Sequence, residues 1–186
     1  DLVIINASVE SECLVALNKL TGREVWRATG MKESWNTPLF VTVEGGKTEL
    51  VVAIFGKLLG FDPASGEQLW SCDTDIGWYM VPSLVAHEGS VYCIGGRSGG
   101  ALAVRAGGRG DVTQSHRLWT GRKGSNVSSP VLHDGRLYFA NEGNNKVHCV
   151  DAQTGKEAGE RQLVPSPGTI YASPLLADGK LYVTSR

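Results

Sequence analysis

ALNKLTGREVW, residues 16–26, and GFDPASGEQLW, residues 60–70, repeat one short pattern 44 positions apart. In each copy an Asn or Asp (Asn18, Asp62) can bond its side chain to backbone amides two residues on and so start a tight turn. A glycine (Gly22, Gly66) then supplies the positive φ that completes the turn. Four residues later an indole (Trp26, Trp70) offers a large flat apolar body and one N–H donor, suited to wedging against a neighbouring sheet. Burying ~150–250 Å² of it at about 25 cal/mol per Å² gives roughly 4–6 kcal/mol before entropy is charged. Such a residue docks one structural unit to the next.

The same beat runs on through the chain. Gly108 marks a weaker copy, followed by Trp119, and Asp151 with Thr154-Gly155 marks a clear one. Pro38, Pro82, Pro130 and Pro174 follow at intervals of 44, 48 and 44, in the settings Thr37-Pro38-Leu39, Val81-Pro82-Ser83, Ser129-Pro130-Val131 and Ser173-Pro174-Leu175. Between these landmarks the apolar residues alternate or come in short β-branched and aromatic bursts, without helical spacing. The second unit predicts four strands, near residues 36–43, 50–55, 58–62 and 68–72. A four-stranded antiparallel unit repeated every ~40–50 residues is the signature of propeller blades. The expectation is therefore an all-β fold, a β-propeller of four-stranded antiparallel blades with about four blades present. It forms one incomplete domain over residues 1–186: a partial blade at 1–30, blades at 35–74, 79–122 and 127–164, and a partial blade at 170–186. Residues 2–6 and 181–185 both align with the second strand of a blade, so the two ends compete for one position. The expected edges are open, to be met by the rest of a ring or by a self-associating copy.

The totals narrow the function classes. With 18 Lys+Arg against 19 Asp+Glu the net charge is −1, which supplies no field for nucleic acid or anionic lipid. Apolar runs such as residues 51–55 fall far short of the ~20 needed for a membrane-spanning helix. The opening residues lack the basic start and cleavage site of a signal peptide and read as a strand already under way. Cys13, Cys72, Cys93 and Cys149 stand singly without a CxxC pair, which argues against zinc ribbons and thioredoxin-like chemistry and reads as buried or unpaired thiols; disulfides between strands stay open.

Ala16-x-Asn18-x-x-Thr21-Gly22-x-x-x-Trp26 and Gly60-x-Asp62-x-x-Ser65-Gly66-x-x-x-Trp70 resemble the tryptophan-docking repeat of PQQ-like (pyrroloquinoline-quinone-type) propellers. SSPVLHDGRLYFA and ASPLLADGKLYVT are similar to that family's inner two strands. The third copy departs from the pattern at Val104–Gly108 and carries an insertion before Trp119. The fourth keeps Asp151, Thr154 and Gly155 but has Gly159 where the tryptophan would stand. The resemblance implies a ring of about eight blades, blade-docking roles for Asn18, Gly22, Trp26, Asp62, Gly66, Trp70, Trp119, Asp151 and Gly155, and an extracytoplasmic (periplasmic or secreted) location. Its quinoprotein dehydrogenases hold PQQ with a tryptophan floor, an adjacent-cysteine disulfide and calcium ligands. None of these can be matched here residue by residue, and no Cys-Cys pair occurs. The expected function is a non-catalytic binding or scaffold module for a protein or small ligand, without cofactor; the alternative is a PQQ- and calcium-dependent dehydrogenase of alcohols or sugars.

Residues just before each inner strand should reach one mouth of the central channel. They nominate Trp35, Asn36, Trp78, Tyr79, Asn126 and Tyr171 as a ligand rim, against the plainer reading that these aromatics pack between blades. Asp73-Thr74-Asp75 opens like a calcium loop but lacks the later ligands. Arg109-Gly110-Asp111 sits in the glycine-rich insertion and reads as a hairpin loop. Asn6-Ala7-Ser8 and Asn126-Val127-Ser128 fit the glycosylation pattern. His87, His116, His133 and His148 show no carboxylate partner at metal-ligand spacing.

Overall fold

The computed structural model describes residues 1–78, 80–97, 99–142, 146–162 and 168–185. They build five successive sheets. The first holds β1 (Leu2–Ala7), β2 (Cys13–Asn18) and β3 (Glu24–Thr29), with the one-turn helix α1 (Ser8–Ser11) between β1 and β2. The second holds β4 (Leu39–Thr42), β5 (Thr48–Ile54), β6 (Lys57–Phe61) and β7 (Gln68–Asp73). The third holds β8 (Val85–His87), β9 (Ser90–Gly95), β10 (Gly100–Arg105) and the outer strand β12 (Arg117–Gly121); between β10 and β12 the chain forms β11 (Gly110–Asp111), which joins the second sheet, and the one-turn helix α2 (Thr113–His116). The fourth holds β13 (Val131–His133), β14 (Arg136–Asn141), β15 (Lys146–Asp151) and β16 (Glu157–Gln162), and the fifth β17 (Leu175–Ala177) and β18 (Lys180–Tyr182).

Within each sheet, sequence neighbours pair antiparallel. Strand β5 explains how the sheets stack. Six of its seven residues are buried. Because successive side chains point to opposite faces, Leu50, Val52 and Ile54 join the core with Leu14, Ala16 and Trp26 of the first sheet. Val51 and Ala53 join the core with Val91, Leu102 and Val104 of the third. A third core lies between the third and fourth sheets, around Tyr92, Ala103, Leu137 and Phe139. Inner strands β4, β8 and β13 touch in succession. This is the face-to-face stacking of a β-propeller. The first and fifth sheets remain separate, with β1 and β18 each pairing as the second strand of a unit.

The indoles sit at the joints, and the outer-strand backbone explains their aim. Every outer strand carries a bulge just before the tryptophan position, which leaves Trp26 opposite Ala16, Trp70 opposite Gly60, Trp119 opposite Ala103 and Gly159 opposite Cys149. A small partner leaves room for the ring: a Cβ on Gly60 would fall 2.1 Å from Trp70 Cε2. Trp26 Nε1 donates to Pro63 O (3.1 Å) and Trp119 Nε1 to Ala152 O (2.8 Å), each in the turn of the following sheet. Gly66 and Gly155, at φ of 74° and 70°, let these turns close, and both lie directly under the arriving ring, where a Cβ would come within 2.5 Å of it. The turns are alike. Asn18 Oδ1 accepts from Leu20 N and Thr21 N (both 3.0 Å), Asp62 Oδ1 from Ala64 N and Ser65 N (both 2.9 Å), and Asp151 Oδ1 from Thr154 N (2.8 Å). Gly22 N, Gly66 N and Gly155 N return to the carbonyls of Asn18, Asp62 and Asp151 at 2.9 Å.

The third sheet lacks that turn, and its joint to the second is made differently. Trp70 Nε1 donates to Glu49 Oε2 (2.7 Å), which also accepts from Gly107 N (3.0 Å), while Glu49 Oε1 pairs with Arg109 (3.0 Å). The insertion, expected to be a hairpin loop, is a strap instead. β11 pairs parallel with the outer edge of β7, Gly110 opposite Trp70 and Asp111 opposite Ser71. Val112 N reaches Ser71 O (2.8 Å), and Thr113 Oγ1 accepts from Asp73 N (2.9 Å). Burial drives the correction: Val112 enters the core beside Trp70 and Ala106, which a free hairpin would leave in water.

Candidate functional site

Two residues ahead of each complete inner strand stands a hydroxyl: Thr37, Ser83, Ser129 and, before β17, Ser173. Thr37 N donates to Ser83 Oγ (3.3 Å), Ser83 N to Ser129 Oγ (2.9 Å), and Ser129 N to Ser173 Oγ (3.0 Å). The segments that lead into the inner strands are thus belted from sheet to sheet. The proline landmark misplaces the third unit by two residues, because Pro82 precedes the hydroxyl while Pro38, Pro130 and Pro174 follow theirs.

Above the belt the loop over residues 33–36 is pinned from below. Trp35 N donates to Met80 O (2.7 Å) and Met80 N to Glu33 O (2.8 Å). Asn36 is 2% exposed, and its amide donates to Ala53 O (2.7 Å) and Ser34 Oγ (3.0 Å) while accepting from Ala53 N (3.2 Å). Asn6 Nδ2 donates to Ser34 Oγ (2.7 Å) and Asn36 O (2.9 Å). Every one of these bonds is directed inward. Asn36 is therefore buried in the support of this loop, and Asn6, a match to the glycosylation pattern, has its amide engaged in the same network.

Trp35 itself is 49% exposed. It borders a pocket of about 280 Å³ whose other walls are Ser8, Val9, Glu12, Lys32 and Glu33. Glu12 and Glu33 hold φ of 48° and 51°, a left-handed conformation that is costly for a residue with a side chain. Tyr171 is likewise exposed at 48%. Trp78 is half-buried, with the Arg97 guanidinium 5.0 Å from its ring centroid, within cation–π range. Asn126 is half-buried in the loop where Ser128 N donates to Ser125 Oγ (2.8 Å). Tyr79 lies outside the described residues. At the opposite end of the second and third sheets a larger cleft of about 1010 Å³ includes Glu44, Lys47, Arg105 and the Glu49–Arg109 pair.

The remaining candidates have defined surroundings. All four cysteines are free thiols, and burial pushes Cys93 up to about 12. Asp73 pairs with Lys57 and Asp75 with Arg117 (2.5 Å), so the calcium-loop-like string spends its carboxylates on cations. In Arg109-Gly110-Asp111 the guanidinium is held by Glu49 and the carboxylate accepts from Thr113 N (2.9 Å). His148 corrects the reading that no histidine has a carboxylate partner at metal-ligand spacing: its Nδ1 lies 3.3 Å from Glu157 Oε1 and 3.8 Å from Glu160 Oε2, while His133 and His87 each face the carboxylate of the next residue, at 3.3 and 3.7 Å.

The family model described as outer membrane protein assembly factor BamB matches residues 10–104 and 87–186. No curated protein matches the sequence. Among solved structures, BamB from Moraxella catarrhalis is similar at 18% identity and a TM-score of 0.71, over 99% of this chain and 51% of its own. Quinohemoprotein alcohol dehydrogenase from Comamonas testosteroni is similar at 13% identity and 0.63, over 94% of this chain and 38% of its own. BBS1N, solved in complex with ARL6DN, is similar at 17% identity and 0.63, over 98% of this chain and 56% of its own. The chain thus spans about half, or less, of the length of these structures, and at such identities the likeness is one of fold.

Proposed function

We infer the role of this chain from one premise: it belongs to the family of outer membrane protein assembly factor BamB. On that premise it is a segment of a non-catalytic, extracytoplasmic propeller of about eight blades that binds a partner protein or small ligand at its channel mouth. The observation that carries this reading is Trp35, an exposed indole on a loop whose backbone and supporting amides are fixed. A large amphipathic side chain on a rigid frame loses little entropy on binding, and binding energy concentrates in residues of this kind. Glu12 and Glu33 give the adjoining pocket two carboxylates against one ammonium, Lys32. A partner segment with an apolar anchor flanked by basic or amide groups fits that rim. Trp78 and Tyr171 belong to the same proposed surface, and Val3, Ile5, Leu175 and Tyr182 on the first and fifth sheets are exposed apolar side chains.

The test is binding to proteins of the chain's own cell envelope. Trp35→Ala, alone and with Trp78→Ala, should weaken capture by about 30-fold or more, the effect of losing a hot spot, while the melting temperature stays put. Parallel loss of melting temperature and binding would leave these indoles with a packing role only. Reconstitution with quinone and calcium, followed by dye reduction with alcohols and sugars, should give no turnover; turnover would replace this reading with that of a dehydrogenase.

A further inference from the structure

The fourth outer strand has no indole, and a different group of side chains occupies its edge. In a regular strand Glu157 and Glu160, three residues apart, would point to opposite faces. The bulge between Cys149 and Val150 removes that parity: β16 pairs Glu160 with His148 and Glu157 with Val150, leaving Ala158 unpaired. Both carboxylates therefore share the face of His148, whose ring is buried and stacked on Phe139 at 5.5 Å.

The inner ligand atoms converge. His148 Nδ1, Glu157 Oε1 and Glu160 Oε2 are separated by 3.3 and 3.8 Å along the two histidine edges, and one ligand atom from each residue fits within a 4.8 Å span. A tetrahedral site with arms of 2.0–2.2 Å has edges of about 3.3–3.6 Å. The outer oxygens face lysines: Glu160 Oε1 pairs with Lys146 (2.5 Å) and Glu157 Oε2 with Lys123 (3.7 Å), which also stands 4.0 Å from Glu160 Oε2. Cations on the outer oxygens orient the inner ones, as outer-shell partners of metal ligands do.

We propose that His148, Glu157 and Glu160 form a site for a zinc-type divalent cation, with water as the fourth ligand. One nitrogen with two oxygens suits zinc or cobalt better than calcium, which needs six or more oxygens; the ion has to share the two carboxylates with Lys123 and Lys146. The ion clamps the outer strand of the blade that has no tryptophan.

Titrating the intact chain with Co²⁺ and with Zn²⁺ tests this. Expected are one ion per chain, a visible Co²⁺ spectrum of low-coordinate type displaced by Zn²⁺, and a rise in melting temperature with Zn²⁺. Glu157→Gln combined with Glu160→Gln, both at the surface, should weaken binding by more than ~10-fold and abolish the thermal rise while leaving the metal-free melting temperature unchanged within a few degrees. His148→Gln, which also alters the core, should abolish the Co²⁺ spectrum. Absence of stoichiometric binding, or binding equally tight in the double variant, would overturn the proposal; so would a sulfur-type Co²⁺ spectrum, which would assign the ion to cysteine.

Discussion

At the scale of single residues, three turns with one geometry differ in a titratable atom. Asn18, Asp62 and Asp151 all accept backbone N–H groups through Oδ1. The Ser65 amide holds the Asp62 carboxyl below its usual range, and the Thr154 hydroxyl does the same for Asp151. A depressed folded value means that the stabilisation is present above the ordinary aspartate value of about 3.9 and is lost as pH falls through the lower folded value. Acid should therefore loosen the second and fourth turns and spare the first. Amide chemical shifts of residues 63–66 and 152–155 should move below pH 4 while those of 19–22 stay, and Asp62→Asn with Asp151→Asn should flatten the acid limb of the melting profile. These turns were legible in the sequence because one short segment contains everything they need: acceptor, positive-φ glycine and wedge. The acceptors of Trp26 and Trp119 were not, since Pro63 O and Ala152 O are backbone atoms of the next sheet and leave no mark in residue type.

At the scale of elements, the β11 strap shows what a missing motif costs and how it is replaced. Glu49 is 3% exposed yet serves three donors, Trp70 Nε1, Gly107 N and Arg109. Glu49→Ala orphans the first two, and buried donors without partners cost about 1–3 kcal/mol each. Equilibrium denaturation should register a loss of about 2–4 kcal/mol, with β11 leaving the β7 edge and aggregation rising in light scattering, as an uncovered edge strand invites. Gly107–Asp111 carry too few apolar side chains for pattern reasoning to see a strand, and a parallel pairing to another sheet has no local signal. The bulge that aligns Glu157 with Glu160 has no mark in residue type, since in a regular strand the two would point to opposite faces. The hydroxyl belt was hidden by counting prolines, when the repeating chemistry belongs to Thr37, Ser83, Ser129 and Ser173.

At the scale of the molecule, the stacking of sheets followed from apolar runs buried on both faces, as in β5, and these the sequence pattern displayed openly. The joints between the sheets are not equal in strength. Those from the first sheet to the second and from the third to the fourth are closed by an indole under which a glycine turn sits, and the second to third by Trp70 with Glu49. Gly159, by contrast, has open space where a side chain would begin. In the metal-free chain, hydrogen exchange in the β15–β16 pair should outpace that in β2–β3 and β10–β12 by at least ~10-fold, since each ~1.4 kcal/mol of local stability is a factor of ten. A stack with one unwedged seam concentrates its compliance there. Thermal strain, proteolytic nicking and any swivelling that accommodates a bulky partner would all begin at that blade, and the other joints would keep their angles while it yields.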